Sequence, residues 1–160
     1  MQRLQLVAAT AEAIPFADGQ FDFVFTVNVA HHMRDVAAYY REARRVLKPG
    51  GTLCTVTESI EMIRNRNPLS RYWPATIEPE IARYPTVETL LDAMKQAGLT
   101  NTETHNISTP TAVTDATAYR QKAYSSLLLI SDTKFGEGLQ RLEADLQDGP
   151  VNGNSEYVCI

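Results

Sequence analysis

Adjacent histidines, His31 and His32, are the residues of this sequence best suited to moving a proton near neutral pH. As metal ligands they would need a carboxylate or cysteine at suitable spacing, which the neighbouring sequence does not supply, so no metal site is expected. The preferred role for His32 is structural: a hydrogen bond that orients its loop, with the ring packed under the following helix. Catalysis by His32 is the competing role. Glu12 and Asp22 form a second tempting set, but neither has a sequence neighbour that would shift its pKa. Asp22 stands just ahead of an apolar strand, where capping or loop hydrogen bonding suffices. Glu12 either approaches a ligand or is a solvated loop residue. Gly136-x-Gly138 is the one G-x-G in the chain, and it falls in a helical pattern rather than after a strand, which disqualifies it as a nucleotide loop. Cys54 and Cys159 make a poor disulfide framework and are expected as reduced thiols on interior strands.

The elements that must position these residues follow from periodicity. Leu4 to Ala9 is expected as a short strand and Phe21 to Val29 as a stronger one, its near-continuous apolar run suggesting a parallel strand covered on both faces. Pro15 and Asp18-Gly19 make the connection a turn-bearing loop. Asp35 reads as an N-cap. Val36, Tyr39, Tyr40, Ala43, Val46 and Leu47 then recur at helical spacing, Lys48 closes the last turn and Pro49-Gly50-Gly51 stops the helix. Leu53 to Thr57 is a third strand, parallel to the second.

Glu61 to Pro85 carries four prolines (Pro68, Pro74, Pro79 and Pro85) with Tyr72, Trp73 and Tyr84, and is expected as a long loop, either a lid or irregular packing. Thr86 opens a helix with Val87, Leu90, Leu91 and Met94 on one face, ended by Gly98. Thr100 to Ile107 suits an edge strand. Tyr119 to Ile130 reads as helical, and Phe135, Leu139, Leu142 and Leu146 mark an amphipathic helix. Asp148-Gly149-Pro150 turns the chain into a last strand, Tyr157 to Ile160.

Composition bounds the function class. A net charge of −4 argues against a nucleic-acid partner. No apolar run is long enough to span a bilayer and no secretory segment is evident, so the expected location is cytoplasmic. With 44% hydrophobic residues the chain has material for one core.

The stretch Ala11–Leu53 carries a specific resemblance. Glu12, Pro15, Phe16, Asp18, Phe21, Asp22, His32, Asp35, Glu42, Arg45, Val46, Leu47, Lys48, Pro49, Gly50 and Gly51 match, in order, the central segment of class I S-adenosylmethionine-dependent methyltransferases of the small-molecule branch. The resemblance implies an α/β, partial Rossmann-like methyltransferase fold. Its sheet would be mostly parallel with a final antiparallel strand, and its N-terminal strand–helix units missing. The family's glycine-rich loop belongs upstream of the matched segment. The first glycine here is Gly19, and two missing strand–helix units would take roughly 60 residues.

On this resemblance, residues 1–160 form a single incomplete methyltransferase domain, with 61–85 a lid or acceptor-side loop and 115–148 a helical insertion. The cofactor is S-adenosylmethionine. Thr10, Ala11 and Glu12 would lie near its adenine, although relatives commonly carry Asp where this chain has Thr10. Asn28 and Val29, with Ala30, would run past its methionine portion. The acid that grips the ribose belongs to the missing strands. His32 is the candidate catalytic residue, because one of the paired imidazoles would line the methyl-transfer pocket. RVLKPGG is mainly structural, with Arg45 a surface or ion-pair residue.

The implied activity is methyl transfer to a small-molecule acceptor. The alternative is a truncated, non-catalytic dimerisation or binding module of the same ancestry. With the first two strands absent, the Phe21–Val29 strand would become an exposed sheet edge. Either Leu4–Ala9 slides in beside it, or two chains pair there as a homodimer, or the chain is an incomplete gene product.

Overall fold

In the computed structural model, which describes residues 5–160, helices and strands alternate irregularly along the chain. The strands are β1 Phe21–Val27, β2 Leu47–Thr57, β3 His105–Val113 and β4 Val151–Cys159. The helices are α1 Val36–Val46, α2 Ile60–Asn65, α3 Leu69–Tyr72, α4 Ile77–Arg83, α5 Val87–Gln96, α6 Thr117–Arg120 and α7 Asp132–Asp145. They gather into two compact units, each described on its own. The first runs through Val56 and adds Val87–Glu103 and Ile160, and the second comprises Thr57–Thr86 and Thr104–Cys159.

In the first unit β1 and β2 pair in parallel, from Phe23 opposite Thr52 to Val27 opposite Val56. Phe21 pairs with Leu47, so Lys48–Gly51 loops out of the ladder. Gly50 takes a φ of +79°, which only glycine adopts cheaply, at the tip of that excursion. Lys48 falls in this looped-out part of β2 and not in the last helical turn, since α1 ends at Val46. Its ammonium lies 2.8 Å from Asp22, across the looped-out segment.

Asp35 caps α1 as expected, accepting from the Ala38 amide at 2.8 Å, a bond worth about 1 kcal/mol of helix stability. Tyr39, Tyr40, Ala43 and Val46 make the buried face of α1, which packs against α5 through Leu90, Ala93 and Met94. Gly98 follows α5 at a φ of +77°, as the sequence requires of a helix-ending glycine. Ile160 and Thr55 exchange both backbone hydrogen bonds, at 2.8 and 2.9 Å.

Two expectations fail in this unit. Leu4, where the first strand was to begin, lies outside the described residues. Gln5–Ala9 has no strand structure, because no described segment supplies a ladder; one isolated bridge joins Thr10 to Ala13. The Phe21–Val29 strand ends at Val27 and is not covered on both faces: Phe23, Phe25 and Val27 are 53%, 63% and 47% exposed.

The second unit holds the larger corrections. Glu61–Pro85 is not a loop but a run of short helices, α2, α3 and α4, with a 3-10 turn at Pro74–Thr76. The prolines punctuate these helices instead of preventing them: Pro68 precedes α3, Pro74 opens the 3-10 turn and Pro79 sits in the first turn of α4, where no intrahelical donor is lost. The strand expected at Thr100–Ile107 begins at His105 and continues to Val113, pairing antiparallel with β4 over its whole length. The Tyr119–Ile130 helix is broken into α6 and a 3-10 turn at Ser125–Leu128, with Lys122 at a φ of +49° between them.

The core of this unit is aromatic. Trp73 stacks on Tyr119 with centroids 5.3 Å apart, and its indole N–H donates to the Phe135 carbonyl at 2.9 Å. Gly138 of α7 is what lets the indole in. A Cβ there would stand 2.2 Å from Trp73 Nε1. Cys54 and Cys159 sit on β2 and β4 outside any disulfide, as expected, but both are only partly buried.

Candidate functional site

Within the first unit, residues from two distant stretches line one open groove of about 560 Å³: Thr10, Ala11 and Glu12 on one side, Val29, His32, Met33 and Arg34 on the other. That volume falls in the range of small-molecule sites. Ala11, Val29 and Met33 give it an apolar wall, while Thr10, Glu12, His32 and Arg34 bring polar groups.

The candidates nominated from sequence divide accordingly, and of the cofactor candidates Thr10, Ala11, Glu12 and Val29 share the groove. Asn28 does not line it; its amide donates to the Val56 carbonyl at 2.9 Å and its φ is +52°. The Asn28 Oδ1 is buried without a hydrogen-bond partner among the described residues. His32 closes a 3-10 turn, Ala30–His32, its amide bonded to the Val29 carbonyl at 2.8 Å. Its ring lies 4.1 Å from that of His31. Among the described residues, no cluster of three or more His, Cys, Asp or Glu side chains is placed to hold a metal ion.

Glu12 is neither a simple solvated residue nor free to meet a ligand with both oxygens. One oxygen accepts from the backbone amides of Arg34 at 3.0 Å and Asp35 at 3.5 Å. Its own amide, then that of Arg34, holds its carboxyl below the ordinary value.

Farther along the same loop, Arg45, expected as a surface or ion-pair residue, pairs with Glu42 of α1 in a clamp whose loop partners the sequence did not reveal. Arg45 donates to Glu42 at 2.8 Å, to the Phe16 carbonyl at 2.8 Å, to the Ile14 carbonyl at 2.8 Å and to Asp18 at 2.7 Å. Glu42 in turn accepts from the Ile14 amide at 2.9 Å. Arg45 is thus an ion-pair residue, as expected, and it also holds the loop leading to the groove. The Arg45 hydrogen bonds, followed by the Ile14 amide, hold the Glu42 carboxyl down at about 2. The signal available in sequence was the i, i+3 spacing of Glu42 and Arg45 on a predicted helix; their loop partners, 27 to 31 residues away, left none.

The second unit contains a buried cluster of charges that sequence reasoning also missed. Glu58 lies 2.8 Å from Arg66, and Arg66 reaches Glu80 at 3.0 Å through both terminal nitrogens. Arg83 bonds to Glu80 and, at 2.8 Å, to Ser125. Tyr84 donates to Glu58 at 3.3 Å. Burial pushes the Glu58 carboxyl up, against the pull of Arg66.

Residues 1–55 match the family described as "Methyltransferase domain". The chain is 27% identical over 130 residues to the demethylmenaquinone methyltransferase of Bacillus velezensis, covering 70% of this chain and 56% of that protein. It is 34% identical over 103 residues to the ubiquinone biosynthesis O-methyltransferase of Ruegeria pomeroyi, covering 56% of this chain and 38% of that one. A crystal structure from Bacillus halodurans assigned as a methyltransferase superposes with a TM-score of 0.61 at 21% identity, covering 99% of this chain and 71% of its own. The fold is therefore that of the Rossmann-like methyltransferases, with both parallel and antiparallel strand pairs. The chain spans little more than half the length of these two relatives at most.

Proposed function

From this resemblance to class I S-adenosylmethionine-dependent methyltransferases, in sequence and in fold, we propose that the Thr10–Arg34 groove receives the adenosyl part of S-adenosylmethionine. The chain then takes part in methyl transfer to a small molecule. What supports the assignment is that Thr10, Ala11, Glu12 and Val29, nominated from sequence, share one groove although they come from separate stretches. Its composition suits the group: Ala11, Val29 and Met33 offer an apolar bed for a purine, and Thr10 offers a hydroxyl at its edge. When bound, the sulfonium supplies the methyl group to an in-line displacement.

The protein's own task is to hold donor and acceptor in line and to exclude water. His32, on the groove wall, shapes the pocket and is available to take a proton from an acceptor hydroxyl. Residues 61–85 serve the acceptor side and 115–148 form the family's helical insertion, within a single domain. The acceptor class is inferred from the relatives: a quinone precursor, methylated at carbon or at oxygen.

Calorimetric titration of the folded chain with S-adenosylhomocysteine tests the cofactor half. A micromolar dissociation constant, about −8 kcal/mol, is expected; no heat from a folded sample would refute it. Incubation with labelled S-adenosylmethionine and demethylmenaquinone tests the acceptor half. Label should pass to the quinone, and label that stays on the donor would rule out that acceptor class.

A further inference from the structure

Among the described residues, the Glu12 carboxylate joins the two walls of the groove across the gap. Glu12 stands on one wall, and the backbone amides it binds, Arg34 and Asp35, terminate the other. Asp35 is itself the N-cap of α1, so Glu12 fastens its wall to the point where that helix begins. The far end of the loop is fastened separately, by Arg45 and Glu42 in the last turns of α1. The Thr10–Asp18 stretch is therefore tied to both ends of one helix, and the Glu12 tie is the one that falls within the groove.

We propose that Glu12 is a positioning residue for the cofactor: its carboxylate sets the separation between Thr10–Ala11 and Val29–Met33, and so the width of the adenosyl groove. This inference rests on the assignment of the groove to that ligand. Glu12 need not touch the ligand to matter. Its oxygen is satisfied by two backbone donors, and a side-chain acceptor that spans 22 residues of sequence fixes backbone rather than solvating itself. Depression of its carboxyl pKa by amide donors agrees with a carboxylate that works in the charged, accepting form.

Three substitutions and two readouts test the proposal. Amide exchange at Arg34 and Asp35 in the ligand-free chain reads the tie itself, and S-adenosylhomocysteine affinity reads its consequence. Glu12→Ala should speed exchange at both amides and weaken binding about tenfold or more, with the thermal midpoint nearly unchanged. Glu12→Asp, one methylene too short to span the groove, should behave like Glu12→Ala. Glu12→Gln keeps a carbonyl acceptor of the same reach and should retain affinity within about threefold.

Unchanged exchange in Glu12→Ala would overturn the tie. Faster exchange with unchanged affinity would overturn the positioning role. Equal loss in Glu12→Gln and Glu12→Ala would show that the charge acts on the ligand directly, again overturning it. A wild-type chain that binds no S-adenosylhomocysteine would refute the groove assignment and this inference with it, while amide exchange would still report whether the tie exists.

Discussion

Two clusters of glutamate and arginine in this molecule work to opposite physical ends. At the surface of the first unit, Glu42 and Arg45 hold a loop, and hydrogen bonding brings the Glu42 carboxyl down to about 2. Inside the second unit, Glu58, Arg66, Glu80 and Arg83 join short helices, and burial drives the Glu58 carboxyl upward despite its arginine. In the first cluster the Arg45 and Glu42 side chains keep 31% and 22% of their surface in water, which screens the charges, so the contacts contribute geometry more than energy. In the buried cluster each charge depends on its partners, because leaving one unpaired exposes the full cost of its desolvation.

The largest effect should follow from Glu80→Ala. Glu80 is 2% exposed and serves two arginines at once, so its loss should destabilise the fold by about 3–5 kcal/mol, read by chemical denaturation. An effect near zero would show that water reaches the cluster and would erase the contrast. Gly138→Ala should come next, at about 1–3 kcal/mol, since the added methyl meets the Trp73 indole edge. Loss of the near-ultraviolet circular dichroism of that tryptophan would accompany it. Arg45→Ala should barely alter the midpoint while quickening amide exchange at Ile14 and Phe16. A large drop in stability would instead mean that the surface clamp carries energy as well as geometry.

The pH dependence distinguishes the two clusters by sign and should be the smallest effect. The Glu42 carboxyl is depressed from 4.5 to about 2 in the folded chain. Its contribution is therefore complete above pH 4.5 and is lost as the pH falls toward 2. The Glu58 carboxyl is raised above 4.5, so the folded state holds that proton longer than the unfolded one. Its contribution declines as the pH rises from 4.5 through its raised value. Thermal midpoints against pH for Glu42→Gln and Glu58→Gln should flatten opposite limbs of the wild-type curve. Flattening of the same limb in both would contradict this assignment.

What the sequence made legible was local. Asp35 as a cap, the Tyr39–Val46 stripe, Gly98 after α5 and the Phe135–Leu146 spacing on α7 all announce helices through near neighbours, and the structure carries each of them. The short helices of 61–85 were hidden because four- to seven-residue elements leave too little periodicity, and prolines at their starts look the same as prolines in loops. The exposed face of β1 was hidden because an apolar run says nothing of what covers it. Of the candidate site, the residue types were legible and the groove was not. Glu12 looked like a lone acid because its partners are backbone amides 22 and 23 residues away.

The central claim is that the Thr10–Arg34 groove is where S-adenosylmethionine sits, and amide chemical-shift mapping with S-adenosylhomocysteine tests it most directly. Saturable shifts are predicted to concentrate at Thr10, Ala11, Glu12, Val29 and His32, with Glu80 and Trp73 silent. Saturable shifts that spare this groove and gather elsewhere would contradict it.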